Sequence, residues 1–399
     1  MSNQRRFTTT RRGALRAVGA TVGGATLVAR TTAASNTTGK LVFTYDDGPV
    51  EDFTHTYRRA HRKEGVPGCS AVPARSVGQP NYLSEAQLRT LEDEGWEIMS
   101  HSVHHRALGD ITVTEDIAPD DRKLYVKTNL HGKRAGDPLV VSDGSRSTTV
   151  TAAGRGSDDR GEFVQLDTQV GKAFAASDGV TERYADEVLH TALGESKKRL
   201  ETHGVAVTNM VMPYGAYGAR TQELAGEYYT AVANGGLAIG GRAQVHRPED
   251  ITLPHLSRAM FRRGKMTEAK QGTFLDRIAD ADALGILGGH SWWQERLPPS
   301  RVRTAIRMAK ARNIDIVTLR DALSEFEITR TTTETTTETT RRTRSPTTET
   351  SDDGLAPGQR GTTTATSETT VGDGQPGFGW LAAIVGVGGV VALRRRFGE

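Results

Sequence analysis

Short apolar runs recur between residues 41 and 318, and stretches with helical periodicity separate several of them. Leu41-Val42-Phe43-Thr44-Tyr45 is apolar on both faces, the pattern of a strand buried on two sides. Runs at 96–99, 207–212, 285–288 and 314–318 predict further strands of the same kind. The segments 84–94 (SEAQLRTLEDE) and 299–312 (PSRVRTAIRMAKAR) predict amphipathic helices. Buried strands alternating with helices predict a parallel sheet with crossover helices, open or closed into a barrel. From about Ile117 to Thr181 the period changes. KLYVKTNL, PLVVSD, STTVTA, EFVQLD and KAFAAS alternate in twos between Gly, Asp and Ser turns, with no helix among them. That pattern predicts a small antiparallel β insertion between two βα units, with a helix at 184–203 after it.

Both ends of the chain depart from this pattern. Residues 10–16 (TRRGALR) place paired arginines before a small apolar run, Ala17–Val28, and a small-residue stretch, TTAAS. This layout over residues 1–34 resembles a Tat export signal. Residues 329–375 are dominated by Thr with interspersed Glu and Arg, a composition that supports no core and predicts a disordered stalk. The segment 376–399 (PGFGWLAAIVGVGGVVALRRRFGE) is an apolar run closed by three arginines. As a span it would set those arginines on the cytoplasmic side and Trp380 at the opposite interface. Its Pro-Gly-Phe start resembles the PGF-CTERM sorting signal of archaeal surface proteins, which implies replacement of the tail by a lipid. Either route predicts an exported protein held at the cell surface through its C-terminus.

These ends also distort the charge balance. Six arginines and no acid precede Ala34, and Arg394–Arg396 with Glu399 close the chain. Without them the 51 basic residues fall to 42 and the 48 acidic ones to 47, a net of −5. A mildly acidic body argues against nucleic acid as a partner. The single cysteine, Cys69, excludes an internal disulfide framework and a cysteine-based zinc site. The globular part is therefore residues 35–328.

Four stretches within it carry candidate chemistry. TYDDGP ends the first strand in two carboxylates, Asp46 and Asp47, before a Gly-Pro bend; taken alone, this is also ordinary turn chemistry. In HSVHH, His101 and His105 are four apart and share a face if the segment makes a helical turn. Two imidazoles and one carboxylate are a common ligand set for a catalytic zinc with an open position for water. Ser102 follows His101 where a zinc metalloprotease motif has Glu, so that class is excluded. His104 is given no role. MPYG presents Tyr214 at a tight turn, and LGGHSWW runs a strand into His290, Trp292 and Trp293. All four stretches follow the C-terminal ends of predicted strands, where α/β sheets and barrels place their sites.

TYDDGP, HSVHH, MPYG and LGGH, in this order, resemble the successive motifs of the polysaccharide deacetylases, carbohydrate esterase family 4 (the NodB-homology domain). The resemblance covers Lys40 to about Leu323 apart from the insertion, and it implies a distorted (β/α) barrel acting on acetylated glycans. It implies Asp46 as catalytic base and Asp47, His101 and His105 as ligands of one divalent metal, zinc first, with cobalt, nickel or manganese as alternatives. It further implies the Tyr214 backbone N–H as an oxyanion donor and His290 as the acid for the leaving amine. Trp292 and Trp293 are candidates for stacking on a sugar face, with core packing as the competing role. Two departures stand out. The family's Arg at the start of the third motif has no match among Asn209, Met210 and Val211, and no Asp-x-x-Trp motif is present. Arg258 in LSRAMF is the candidate to stand near the site instead. An amidase of the same fold and a non-catalytic glycan binder are the rival readings.

Overall fold

The computed structural model describes residues 38–216, 218–235 and 244–328. The expectations for the export signal (1–34), the Thr-rich stalk (329–375) and the C-terminal segment (376–399) lie outside the described residues. Among these, no helix is long and apolar enough to cross a membrane.

The chain opens with β1 (Lys40–Tyr45), a helix with π geometry over Asp52–His61, and β2 (Cys69–Val72). The helix Glu85–Asp93 follows, held at its start by a reciprocal Ser84–Gln87 capping box, and leads into β3 (Glu97–Ser100). Six insertion strands come next: β4 (Ile111–Thr112), β5 (Lys123–Tyr125), β6 (Pro138–Ser142), β7 (Ser147–Asp158), β8 (Gly161–Leu166) and β9 (Thr181–Tyr184). Helical segments between Asp186 and Glu201 return the chain to β10 (Asn209–Val211). The remaining strands are β11 (Ala231–Gly235), β12 (His255–Met260), β13 (Leu284–Gly289) and β14 (Asp315–Ile316). Helices Ala219–Tyr228, Glu268–Asp280, Pro299–Lys310 and Leu319–Glu325 complete the alternation.

Seven parallel strands run β13-β12-β11-β10-β3-β2-β1, and β1 pairs back with β13 from Lys40↔Leu284 to Tyr45↔Gly289, closing a barrel as predicted. The closure is uneven. Along the other edge of β1, β14 takes Lys40 and Leu41 while β2 takes Thr44 and Tyr45. The seam between β10 and β3 has one pair, Met210↔Ser100.

Strand alternation sorts the side chains into two cores. Leu41, Phe43 and Tyr45 pack outward with the helices. Val42, Met99, Val211, Leu256 and Ile286 fill the barrel interior, and Leu319, Leu323 and Phe326 join them. At the N-terminal end of β3, the buried Glu97 accepts hydrogen bonds from Asn209 Nδ2 at 2.7 Å and Arg320 N at 2.8 Å. Asn209 Oδ1 in turn accepts from Ala231 N at 2.9 Å, pinning three barrel strands and the last helix together. Following the interior positions toward the C-terminal ends in steps of two reaches Asp46 from Val42, His101 from Met99, Arg258 from Leu256 and His290 from Ile286. The site is the top of the interior column.

The insertion is antiparallel in the order β4-β9-β6-β7-β8-β5. Its two outer edges also meet, through Thr114 N to Tyr125 O and Lys127 N to Thr112 O, both at 2.9 Å, so the sheet curls closed. It runs from Ile111 to Tyr184, wider than the predicted 117–181. β4, only two residues long, has no visible alternation, and its pairing with β9 exists only in the tertiary structure. Three barrel strands, β2, β11 and β12, also escape the periodicity. Each carries small or polar residues (Ser70, Asn234, Arg258) inside otherwise buried runs.

Candidate active site

β1 continues its ladder one step beyond Tyr45, with Asp46 N donating to Gly289 O at 2.9 Å. Asp47 and Gly48 then adopt left-handed backbone angles, φ 76° and 59°. A Cβ on Gly48 would lie 3.0 Å from the Val72 side chain, so both the angle and the space favour glycine there. This turn separates the two carboxylates. Asp46 stays in the barrel interior, and Asp47 swings toward the mouth.

Asp46 is buried and held by a bidentate ion pair, with Arg258 Nη1 donating to Oδ1 at 2.6 Å and Nη2 to Oδ2 at 2.7 Å. Arg258 Nη1 also donates to Thr44 Oγ1 at 2.9 Å. Burial pushes the Asp46 carboxyl up, but the charge and hydrogen bonds of Arg258 outweigh it, and the net displacement is downward. Asp46 is thereby kept as an anion and aimed. Gly288 makes the pairing possible, because a Cβ there would come 2.7 Å from the Arg258 guanidinium.

Asp47 meets the two histidines. Its Oδ1 lies 3.6 Å from His101 Nε2 and 3.0 Å from His105 Nε2, and the three ligand atoms fall within 4.8 Å of one another. His101 Nδ1 donates to Val211 O at 2.8 Å, which leaves its Nε2 as the lone-pair nitrogen facing Asp47. HSVHH is not a helical turn, contrary to the expectation from spacing. Ser102 and His105 have φ 60° and 52°, and Ser102 Oγ accepts from Arg106 N at 3.1 Å. The tight turn nonetheless brings the two rings to 4.9 Å. His104 lies apart, lining a cavity of about 250 Å3 with Arg106, Glu187 and Thr191.

The donor set fits a divalent cation. Asp47 Oδ1 is buried and, among the described residues, makes no well-aligned hydrogen bond, although both imidazoles face it. Metal–ligand distances of about 2.0–2.2 Å separate neighbouring ligands by about 3.4 Å in a tetrahedral arrangement. The 3.0 and 3.6 Å separations bracket that value.

The loop after β13 supports this cluster. Trp292 Nε1 donates to Asp47 Oδ2 at 3.0 Å, and His290 Nε2 lies 3.5 Å from the same oxygen. His290 stacks on Trp293 with centroids 4.0 Å apart. Both tryptophans are half-buried and engaged by the site itself, Trp292 through the Asp47 carboxylate and Trp293 through His290. Burial lowers the His290 imidazole, and the nearby Asp46 and Asp47 charges only partly offset this. Tyr214 has φ 59° in the turn after β10, and its ring lies 4.6 Å from that of His105.

Sequence reasoning missed Asp52. This fully buried carboxyl accepts from Ser70 Oγ and Ser291 Oγ, both at 2.5 Å, and so holds the residue next to His290. Burial, aided by the Asp47 and Asp46 charges, raises it to about 8 against the pull of the two hydroxyls. The available signal was a lone acid in the polar-looking helix DFTHTYRRAH, too weak to single out. Arg258 had a stronger one, a charge inside a buried run, which demands a partner.

Residues 34–129 match the family model described as polysaccharide deacetylase, and residues 375–396 match the PGF-CTERM motif. No curated protein sequence matches the chain at a significant level. Among solved structures, a T48 deacetylase with substrate is 13% identical, with 72% of this chain and 92% of that one covered and a TM-score of 0.38. A family 4 acetyl xylan esterase from Clostridium thermocellum, in complex with a cobalt ion, is 12% identical over 71% and 90%, with a TM-score of 0.36. The Xyl-CE4 domain of a multidomain xylanase from the hindgut metagenome of Trinervitermes trinervoides is 11% identical over 72% and 91%, with a TM-score of 0.37. The match to the polysaccharide deacetylase model thus spans Asp46, Asp47, His101 and His105, and the C-terminal match is to a motif that marks archaeal proteins anchored at the cell surface.

Proposed function

We propose that the protein is a metal-dependent deacetylase, exported and tethered at the cell surface, that removes acetyl groups from N-acetylated polysaccharide. One observation carries the reading. Asp47 Oδ1 is buried between two imidazole nitrogens at 3.0 and 3.6 Å with no well-aligned hydrogen bond among the described residues, while both oxygens of its neighbour Asp46 are taken by Arg258. One carboxylate is left for a cation and the other for a proton.

Asp47, His101 and His105 would hold the ion, zinc first among the candidates, with cobalt, nickel or manganese on the same ligands. When bound, a divalent ion supplies Lewis acidity, acidifying water and polarising the acetyl carbonyl. Asp46, oriented by Arg258, takes the proton from the attacking water. The Tyr214 backbone N–H, at a turn strained to positive φ, serves as an oxyanion donor. The departing amine takes its proton from His290, which enters the step as imidazolium against the cost of burial. Asp46 then gives up the proton it took, so that both groups are reset. The His290 ring is held in place by Trp293 and its loop by the Ser291–Asp52 hydrogen bond. Trp292 fixes the rotamer of Asp47 rather than offering its indole N–H to a sugar.

Acetate release from N-acetylated oligosaccharides by the purified full-length protein, with and without chelator, tests the reading. Release that chelator abolishes and zinc restores is expected. A metal-loaded protein that frees no acetate from any N-acetylated glycan would overturn it.

A further inference from the structure

The loops that follow β12 and β13 carry four cations, Arg262, Arg263, Lys265 and Arg296, and a fifth, Arg301, stands in the first turn of the helix Pro299–Lys310. Arg263 N donates to Arg296 O at 2.9 Å, which ties the two loops together. Among the described residues, none of the five has a carboxylate oxygen within 4.0 Å. Glu295 precedes Arg296 and the Glu268 charge reaches Arg301, but Arg262 has neither beside it, and like charges gathered without a close ion-pair partner are costly where water is partly excluded.

Arg262 shows that cost directly. It is half-buried, its Nε is buried without a partner, and both desolvation and the Arg296 charge depress its guanidinium. Its guanidinium lies 5.2 Å from the centre of the Trp293 ring, whose own Nε1 is also buried and unpartnered. The Arg262 guanidinium therefore lies over the Trp293 face, and Arg296 is close enough for its charge to be felt at Arg262.

This patch is wired to the metal cluster. Trp293 stacks on His290 at 4.0 Å, and His290 Nε2 lies 3.5 Å from Asp47 Oδ2. On the other side, Asp47 Oδ1 faces His105, His105 packs on Tyr214 at 4.6 Å, and Tyr214 Oη accepts from Lys133 Nζ at 2.8 Å. A continuous line of contacts thus runs from Arg262 to Lys133 with the ligands at its middle. Both ends are cations, and Lys133 is exposed and, among the described residues, has no acidic partner within 4.0 Å. This arrangement sits on a body whose net charge is negative, so the positive rim is local to the mouth of the site.

We propose that the loops after β12 and β13 form an anion subsite beside the metal cluster, and that the substrate is an acidic glycan. The sugar adjoining the acetylated unit carries a carboxylate or sulfate, which Arg262 and Arg296 bind while Trp293 supports the ring. This rests on the reading of the site as a glycan deacetylase. The oxyanion accepts the unused Arg262 Nε–H and Trp293 Nε1–H, and it offsets the repulsion between Arg262 and Arg296.

Binding and turnover separate the two ideas. Calorimetric titration of the full-length protein would use a hyaluronan oligosaccharide (alternating N-acetylglucosamine and glucuronate), a sulfated keratan oligosaccharide and a neutral N-acetylglucosamine oligomer. The expected result is tighter binding of one or both acidic oligosaccharides, weakening as salt rises. The arm that binds tighter distinguishes carboxylate from sulfate. Arg262→Gln and Arg296→Gln should each weaken acidic binding roughly tenfold or more, since hydrogen bonds to charged groups are the strong ones. Neither should change binding of the neutral oligomer. Arg296 is exposed, so its variant keeps the test open if Arg262→Gln fails to fold. Equal affinity for neutral and acidic oligosaccharides would overturn the proposal. So would an equal loss on both in the variants, or equally tight binding of single-stranded DNA. Preferential acidic binding without acetate release sinks the deacetylase reading and leaves the subsite standing. Acetate release without acidic preference does the reverse.

Discussion

The barrel and the insertion both bury charge, and they do so to different ends. In the barrel, Asp46 and Arg258 form a buried pair while the adjacent Asp47 keeps a buried oxygen with no well-aligned hydrogen bond among the described residues. In the insertion, His131 is fully buried, with Nδ1 2.7 Å from Glu182 and Nε2 2.8 Å from Ala107 O. Both ring nitrogens face acceptors, while Glu182 Oε1 is buried with no hydrogen-bond partner among the described residues. That clasp fastens the insertion to the loop that carries His105. A buried oxygen without a hydrogen bond occurs in both regions, and what marks the barrel site is that the Asp47 oxygen faces two imidazole nitrogens at 3.0 and 3.6 Å.

The largest effect should come from emptying that site. His101→Ala and His105→Ala should strip the metal and abolish turnover while the barrel stays folded, as checked by metal analysis and circular dichroism. Full metal occupancy in both variants would remove the metal assignment. Next in size is the base. Asp46→Asn should retain the metal and lose about 10²–10⁴-fold in turnover. An active variant would mean that the two carboxylates have exchanged roles.

The two buried ion pairs give the sharpest version of the comparison. Arg258→Leu and His131→Leu each leave an unpaired buried carboxylate, at a cost of about 3–5 kcal/mol in unfolding free energy. Only Arg258→Leu should also lower turnover per folded molecule. A His131→Leu protein with normal stability would show that the clasp is not formed, and one with lost metal would show that the insertion shapes the metal site.

Asp52 predicts a smaller, pH-dependent effect. Its carboxyl rises from 3.8 to about 8 on folding, so between those values only the folded chain holds the proton. The corresponding stability is complete below about pH 4 and is lost as pH rises through about 8. Urea midpoints of the metal-free protein should therefore fall across this window, and Asp52→Asn should flatten the slope. An unchanged slope would place the titration elsewhere. The smallest effect is expected at Lys133, whose contact with Tyr214 is exposed. Lys133→Gln should shift stability by no more than about 0.5 kcal/mol in thermal unfolding and leave metal content unaltered. Loss of metal in this variant would make the insertion a part of the centre.

The sequence by itself determined the class of architecture and brought forward the strand-end candidates. Asp46, Asp47, His101 and His105 were legible because a carboxylate pair at the end of a doubly buried strand and a histidine cluster are rare locally, and because motif order links them. Helices 84–94 and 299–312 were legible because their apolar stripe is a local property. Closure of the barrel through β1 and β13, and of the insertion through β4 and β5, was decided only in three dimensions, since pairing between strands far apart in the chain leaves no local period. The same holds for the roles around the metal. Arg258 became the partner of Asp46 because strand alternation brought it to the interior line and Gly288 left it room. Asp52 acquired its displaced carboxyl from burial between two serine hydroxyls, 18 and 239 residues away in the chain. Burial and long-range contact set these properties, and both are created by the fold.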